Sequence, residues 1–403
     1  MEPIEIIAGD LLLRAWRPTD AEAVYEVCQD PDIQRWTGLP SPYERHHAVN
    51  FVTERAAADW AAGVAAPLGV FERATGRLLG ANGLASIEPV RQSAEIGYWT
   101  APWARGRGVA LASTRAVARW AFAYLGLDRL TWQAELGNHA SRLVALRAGF
   151  QISGEHRLPG PNPKGRRECW IGSLLSDEIT TEIPERYATG SLVARRAAVF
   201  GAPRPDLPLD GVPGRLRGWY KEDIPWITLT CQDPDSVRFT SIPAPYVQSD
   251  AEWYIHEHIP VQWTRGTGVG YAIADAEDRY VGSIDLRLSG PEETEAEIGF
   301  LIAPWARRRG YASAAARTIC AWGFQALGLQ RIVWMAYLGN DGSRRVAENA
   351  GFTIEGVGRA VCVQRGRRLD AWVGSLLPAA PRRTVTVPSA RPGPAPSTQP
   401  ESG

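Results

Sequence analysis

Apolar residues recur at three- and four-residue spacing from Val109 through Ala112, Val117, Trp120 and Ala121 to Tyr124, which predicts an amphipathic helix across "GVALASTRAVARWAFAYLG". Ahead of it, "SAEIGYWTA" predicts a strand. Nearer the start, "LLLRAW" predicts a strand and "PTDAEAVYEVCQDP" a helix with Thr or Asp as its cap. After a loop and another helical stretch, "APLGVFER" and "RLLGANGLASIE" are short runs with hairpin signals between them. Beyond the long helix, "DRLTWQAEL" returns as a strand, "NHASRLVALRAGF" as a helix ending at Gly149, and "ECWIGSLL" as a last strand. The series predicts an α+β domain built on a mixed, mostly antiparallel sheet flanked by helices.

The whole series occurs twice. "CQDPDIQRWTGLPSPY" begins at Cys28 and "CQDPDSVRFTSIPAPY" at Cys231, an offset of 203; by Gly80 and Gly282 the offset is 202. One residue is therefore missing from the second copy, expected in the loop after Trp60 and Trp263. The offset then holds through "ELGNHASRLVALRAGF" and "YLGNDGSRRVAENAGF". A period this long is not that of a solenoid and marks a duplicated domain. The expected organisation is a first domain at 8–176, a linker at 177–211 with a short helix in its middle, a second domain at 212–378, and a disordered Pro-rich tail at 379–403.

Composition narrows the partners. A chain of 403 residues fits two domains, and a formal net charge of zero lends no support to a nucleic-acid or anionic-membrane partner. The start "MEPIEIIAGD" has no signal-peptide pattern and no apolar run is long enough to span a bilayer, so the expected location is cytoplasmic. The five cysteines form no C-x-x-C pair, and neither His46–His47 nor His256 and His258 belong to an H-E-x-x-H motif, so no metal site is expected. Repeat-matched tryptophans (Trp16/Trp219, Trp103/Trp305, Trp170/Trp372) read as core or loop anchors.

The candidate chemistry lies between strand and long helix, where "APWARGRGVA" and "APWARRRGYA" stand at Ala101 and Ala303. Glycines there let the chain bend and approach a ligand, while the helix start and its dipole favour phosphate. Arginines add charge-assisted bonds, and successive amides form an anion nest. No lysine follows, which excludes a Walker loop, and Leu111 stands where a dinucleotide fingerprint needs glycine.

"RGRGVA" and "RRRGYA" resemble the Gln/Arg-x-x-Gly-x-Gly/Ala pyrophosphate loop of the GNAT N-acetyltransferases, and "AEIGY" with "GN…S…AGF" resembles their RimJ/RimL-like branch, which acetylates ribosomal-protein N-termini. The resemblance covers both halves and implies two tandem GNAT domains, acetyl-CoA as donor, direct transfer to an amine, and no metal. It implies a pyrophosphate site on the amides of Arg105, Gly106, Arg107, Gly108, Val109 and Ala110. The pantetheine arm would pair as an added strand with Trp99 and Thr100, with Asn138 and Ser141 contacting the cofactor. The matching second-half residues are Leu301, Ile302, Arg307, Arg308, Arg309, Gly310, Tyr311, Ala312, Asn340 and Ser343. Helix capping is an equally available role for Asn138 and Asn340.

An amine attacks a thioester only when neutral. A lysine side chain (pKa ~10.4) needs a base or a desolvating site, whereas an α-amine (~7.7–8.0) needs little help. Glu95 and Glu297 in "AEIG" are the base candidates, with a solvated strand position as the alternative reading. Many GNAT enzymes place an acid tyrosine where Ala145 and Ala347 stand here, so no acid is assigned. The expectation is an acetyl-CoA-dependent N-acetyltransferase acting on a protein N-terminus or a small-molecule amine. Alternatives are an antibiotic or metabolite acetyltransferase, and non-catalytic CoA-binding domains serving as sensor or scaffold.

Overall fold

The computed structural model describes residues 1–157, 168–288, 290 and 293–379; all but the first residue of the tail expected to be disordered lies outside the described residues. Each half builds its own eight-stranded sheet around its own core. The first comprises β1 (Glu5–Ala8), β2 (Leu11–Ala15), β3 (Ala66–Glu72), β4 (Leu78–Glu88), β5 (Ser93–Thr100), β6 (Arg129–Glu135), β7 (Gln151–Arg157) and β8 (Glu168–Leu175). Their order across the sheet is β1-β2-β3-β4-β5-β6-β8-β7. The second comprises β9 (Leu207–Pro208), β10 (Arg215–Arg217), β11 (Gly268–Ala274), β12 (Tyr280–Leu288), β13 (Glu295–Ile302), β14 (Arg331–Tyr337), β15 (Thr353–Gln364) and β16 (Arg367–Leu376). Its order, β15-β16-β14-β13-β12-β11-β10-β9, repeats the first from the other end.

Every neighbouring pair is antiparallel except β5 with β6 and β13 with β14. A parallel pair needs a crossover, and the helices Val109–Tyr124 and Tyr311–Ala326 supply it. The first buries Val109, Ser113, Thr114, Val117, Ala118, Trp120 and Ala121 along one stripe. Tyr124, which spacing puts on that stripe, ends the helix and is exposed.

In the second half, strand β12 shows which face meets which layer. Leu286 packs toward Gly323 of the crossover helix, whereas Gly270, paired with Asp285, packs against Ile259. The helix Ile259–Arg265 therefore covers the opposite face.

The deletion falls where expected. Gly63 and Gly266 close matched helices at φ +71° and +70°, and Val64–Ala65 then face Thr267 alone before β3 and β11 begin. The predicted cap differs. Asp20 precedes its helix, but its carboxylate turns back to accept from Arg14 at 2.8 and 2.9 Å and from the Arg17 amide at 2.8 Å, leaving that helix without a side-chain cap.

The stretch 177–211 supplies the helix Leu192–Phe200 and the edge strand β9. Of the matched tryptophans, Trp16 and Trp170 are buried, Trp372 packs on the second core, and the Trp103 and Trp219 indoles donate to the carbonyls of Leu78 and Gly270. Trp305 departs from this pattern: it is exposed and meets Trp226 edge-on at 5.5 Å. All five cysteines are free. No helix among the described residues is long and apolar enough to cross a membrane.

Candidate active site

The two Arg/Gly turns share one backbone path. Arg105 is extended, Gly106 and Gly108 are left-handed at φ +73° and +78°, and the helix starts at Val109. In the second copy Arg307 is extended, Arg308 takes φ +62° where the first copy has glycine, and Gly310 takes +84° ahead of Tyr311. A Cβ on Gly106 or Gly108 would meet nothing, so conformation rather than space selects glycine there. Neither helix start has a side-chain cap, which leaves the first-turn amides of Val109, Ala110, Tyr311 and Ala312 available to an anion.

The arginines do more to hold these turns than to line them. Arg105 pairs with Asp30 at 2.5 Å and Asp32 at 3.3 Å; Arg307 pairs with Asp233 at 2.5 Å and Asp235 at 3.2 Å. Burial opposes ionisation of Asp30 and Asp233, but the guanidinium and an amide outweigh it and hold both carboxyls below the ordinary range. Arg107 pairs with Glu72 at 3.0 Å, and Arg309 lies over the Tyr311 ring.

Beyond each turn the central strands part. β5 and β6 pair only from Ser93↔Arg129 to Glu95↔Thr131, and β13 and β14 only from Glu295↔Arg331 to Ile298↔Trp334. On the other edge β5 stays paired with β4 to Thr100, and β13 with β12 to Ile302. Trp99, Thr100, Leu301 and Ile302 thus lie on segments whose second edge has lost its partner strand, a place for an extended chain to add.

Asn138 and Asn340 cap the helices beyond, each Oδ1 accepting the Ser141 or Ser343 amide at 3.1 Å. Trp132 and Trp334 donate to the hydroxyls of those serines. The halves then diverge: Tyr98 reaches from β5 to donate to the Ser141 carbonyl at 2.9 Å and accept from its hydroxyl at 3.2 Å, whereas Phe300 has no hydroxyl to do so.

A cavity of about 1,120 Å³ opens in the second half. Every second-half residue expected at the cofactor or base position lines it except Arg309. A cavity of about 150 Å³ beside Glu95 in the first half is lined by Thr131, Trp132 and Gln133 but by none of the turn residues.

The two candidate bases are engaged. Glu95 accepts from Gln133 at 2.9 Å, and Glu297 accepts from Arg287 at 2.6 Å. Ala145 and Ala347 are buried. Asp285, not among the base candidates, lines the second-half cavity and accepts from Arg287 at 2.8 Å. Burial pushes its carboxyl above the ordinary range despite Arg287. The available signal was the change from Gly83 to Asp285 between the copies. Among the described residues no group of three or more His, Cys, Asp or Glu side chains could hold a metal ion.

A family model described as an acetyltransferase (GNAT) domain matches residues 10–151 and again 215–353. YoaA of Bacillus subtilis (strain 168), named an uncharacterized N-acetyltransferase, is 34% identical over 116 residues, 29% of this chain and 65% of its own length. YdaF of the same organism, whose name assigns it provisionally to ribosomal N-acetylation, is 39% identical over 82 residues, 20% of this chain and 45% of its own. The chain thus spans less than two thirds of either relative. A structure from Vibrio cholerae, described provisionally as a ribosomal-protein-serine acetyltransferase, aligns with a TM-score of 0.40 and 23% identity, covering 43% of this chain and 99% of that one.

Proposed function

The chain belongs to the acetyltransferase (GNAT) family, with one such domain in each half, and from that premise we propose that it transfers the acetyl group of acetyl-CoA to a primary amine, with the second-half cleft as the working site. The observation that carries this reading is the continuity of one cavity from the left-handed turn at Arg308–Gly310, along the free edge of β13, to the carboxylates Asp285 and Glu297.

The residues fit acetyl-CoA. Uncapped amides at Tyr311 and Ala312 suit a pyrophosphate, and the unpartnered edge at Leu301 and Ile302 suits an amide-bearing arm. When bound, the thioester supplies an activated acetyl carbon and a thiolate leaving group.

The acceptor arrives as an ammonium and must first lose a proton to a carboxylate on the face of Asp285 and Glu297. Its nitrogen then forms the C–N bond as the C–S bond breaks, and the second amine proton ends on the departing sulfur. The carboxylic acid returns its proton to solvent. The acceptor class is a protein N-terminal α-amine or a small-molecule amine, since both present the same group.

The Tyr98–Ser141 hydrogen bond favours a second reading for the first half alone: a supporting domain whose cleft is latched by its own side chain. The test is thiol release by the purified full chain given acetyl-CoA and panels of amines and peptides. Amine-dependent release is expected. Binding of acetyl-CoA without release against every amine would instead make the chain a CoA-binding module.

A further inference from the structure

The two halves share the cofactor turn but not the surface that meets the acceptor. On β12, Ser283, Asp285 and Arg287 face away from the crossover helix, toward the helices that follow β10. Asp285 lies between two glycines in register, Gly270 on β11 and Gly299 on β13. A Cβ on Gly299 would come within 2.5 Å of the Asp285 carboxylate and 2.7 Å of the Arg287 guanidinium, so the glycine makes room for this pair. Arg287 bridges onward to Glu297, which leaves one net negative charge among the three groups. The carboxylate is only 17% exposed.

Aromatic rings wall the same cavity. Tyr254 meets Trp219 edge-on at 5.3 Å and stacks on His258 at 5.6 Å, and Trp253 lies 5.1 Å from His258. Burial, with Arg287 nearby, lowers the pKa of His258 and favours its neutral imidazole, whose Nε2 shares a hydrogen bond with Gln262 at 3.0 Å. A carboxylate largely shielded from solvent, in a cavity walled by aromatic rings, attracts an organic cation. The first half lacks this arrangement: Gly83 stands for Asp285, Ala85 for Arg287, Asn50 for Trp253, Phe51 for Tyr254 and Arg55 for His258. It has lost the carboxylate, and the guanidinium lost at Ala85 is matched by the one at Arg55, so the cation has moved while the acid is gone.

We propose that Asp285, within this aromatic wall, seats the acceptor's ammonium group and takes its proton, so that the second half acetylates a compact primary alkylamine carried as a cation while the first half does not accept it. The assignment rests on the reading of the second-half cleft as the site of acetyl transfer. Glu297, tied to Arg287, is then a positioning residue that fixes the guanidinium and through it the Asp285 carboxylate.

The experiment uses the full chain and its Asp285→Asn variant. Acetyl-CoA affinity is measured first. Thiol release is then followed with a small alkylamine, with a short peptide bearing a free N-terminus, and with an arylamine that is already neutral at pH 7. The variant is expected to keep acetyl-CoA affinity while kcat/KM for the alkylammonium acceptors falls about 100-fold, a larger fall than for the arylamine, which has no proton to give up before attack. The alkylamine is expected to turn over faster than the peptide, and a faster peptide overturns the assignment of a compact alkylamine.

A second measurement needs no variant. A quaternary alkylammonium should compete with the alkylamine in the wild type, and its neutral tert-butyl isostere should not. Undiminished alkylamine turnover in Asp285→Asn, or equal competition by the neutral isostere, overturns the assignment alone. Absence of release with every amine in a wild type that binds acetyl-CoA overturns the transfer reading, and this assignment with it.

Discussion

Asn340 shows how one residue serves two readings, because its Oδ1 caps the helix Asp341–Asn349 while the residue also lines the cavity and carries an amide nitrogen able to donate. Aspartate caps as well as asparagine but donates nothing. Asn340→Ala is therefore expected to lose about 1 kcal/mol of stability in urea unfolding. Asn340→Asp should keep that stability yet weaken acetyl-CoA binding by isothermal titration; unchanged affinity in both would leave capping as the whole role. At this scale the turn was legible, since Gly108 and Gly310 recur at the same left-handed position. The engagement of Glu95 and Glu297 was not legible. Alternation assigns residues to two faces without saying which is which, and their partners Gln133 and Arg287 sit on neighbouring strands.

At the scale of elements, period and turn signals carried six of the first sheet's eight strands, the crossover helices and the duplication, but not β1 or β7. The splay escaped them because it is a matter of where ladder pairing stops: β5 and β13 read as strands to their ends although their parallel partners leave after three and four registered pairs. The single hydroxyl of Tyr98 then separates the copies. Opening the first-half cleft must break its bonds to Ser141, whereas Phe300 imposes no such cost. Titration of the wild type with acetyl-CoA should accordingly reach one tight site per chain. Tyr98→Phe should strengthen a first-half site about 5-fold, the worth of one hydrogen bond at ~1 kcal/mol. Two equivalent sites in the wild type would show that the latch does not govern binding.

Across the whole molecule the stretch joining the halves is a structural piece. Its helix was legible in "PERYATGSLVARRAAVF", but its docking was not, because the partners are distant main-chain carbonyls. Arg196, buried, donates to the carbonyls of Leu327 at 3.1 Å, Gly290 at 2.9 Å and Glu293. Phe200 packs against Trp263 of the second half and His139 of the first. His139 closes the seam, its Nε2 lying 2.9 Å from the Thr264 carbonyl, which fixes the proton of the neutral ring on that nitrogen. Burial lowers its pKa from 6.5 to about 4, with the Thr264 carbonyl opposing and Arg142 assisting. The unfolded chain therefore binds the proton first, and stability rises with pH between these values. The contribution is complete above about pH 6.5 and fades as pH falls toward about 4, amounting to ~2 kcal/mol lost by pH 5. Arg265 pairs across the same seam with Glu155 at 2.9 Å and Glu168 at 3.2 Å. Urea midpoints measured at pH 7.5, 6 and 5 should fall steeply in the wild type and much less in His139→Gln, whose side chain can donate to Thr264 without titrating. Parallel slopes in the two proteins would mean that the seam does not sense the proton.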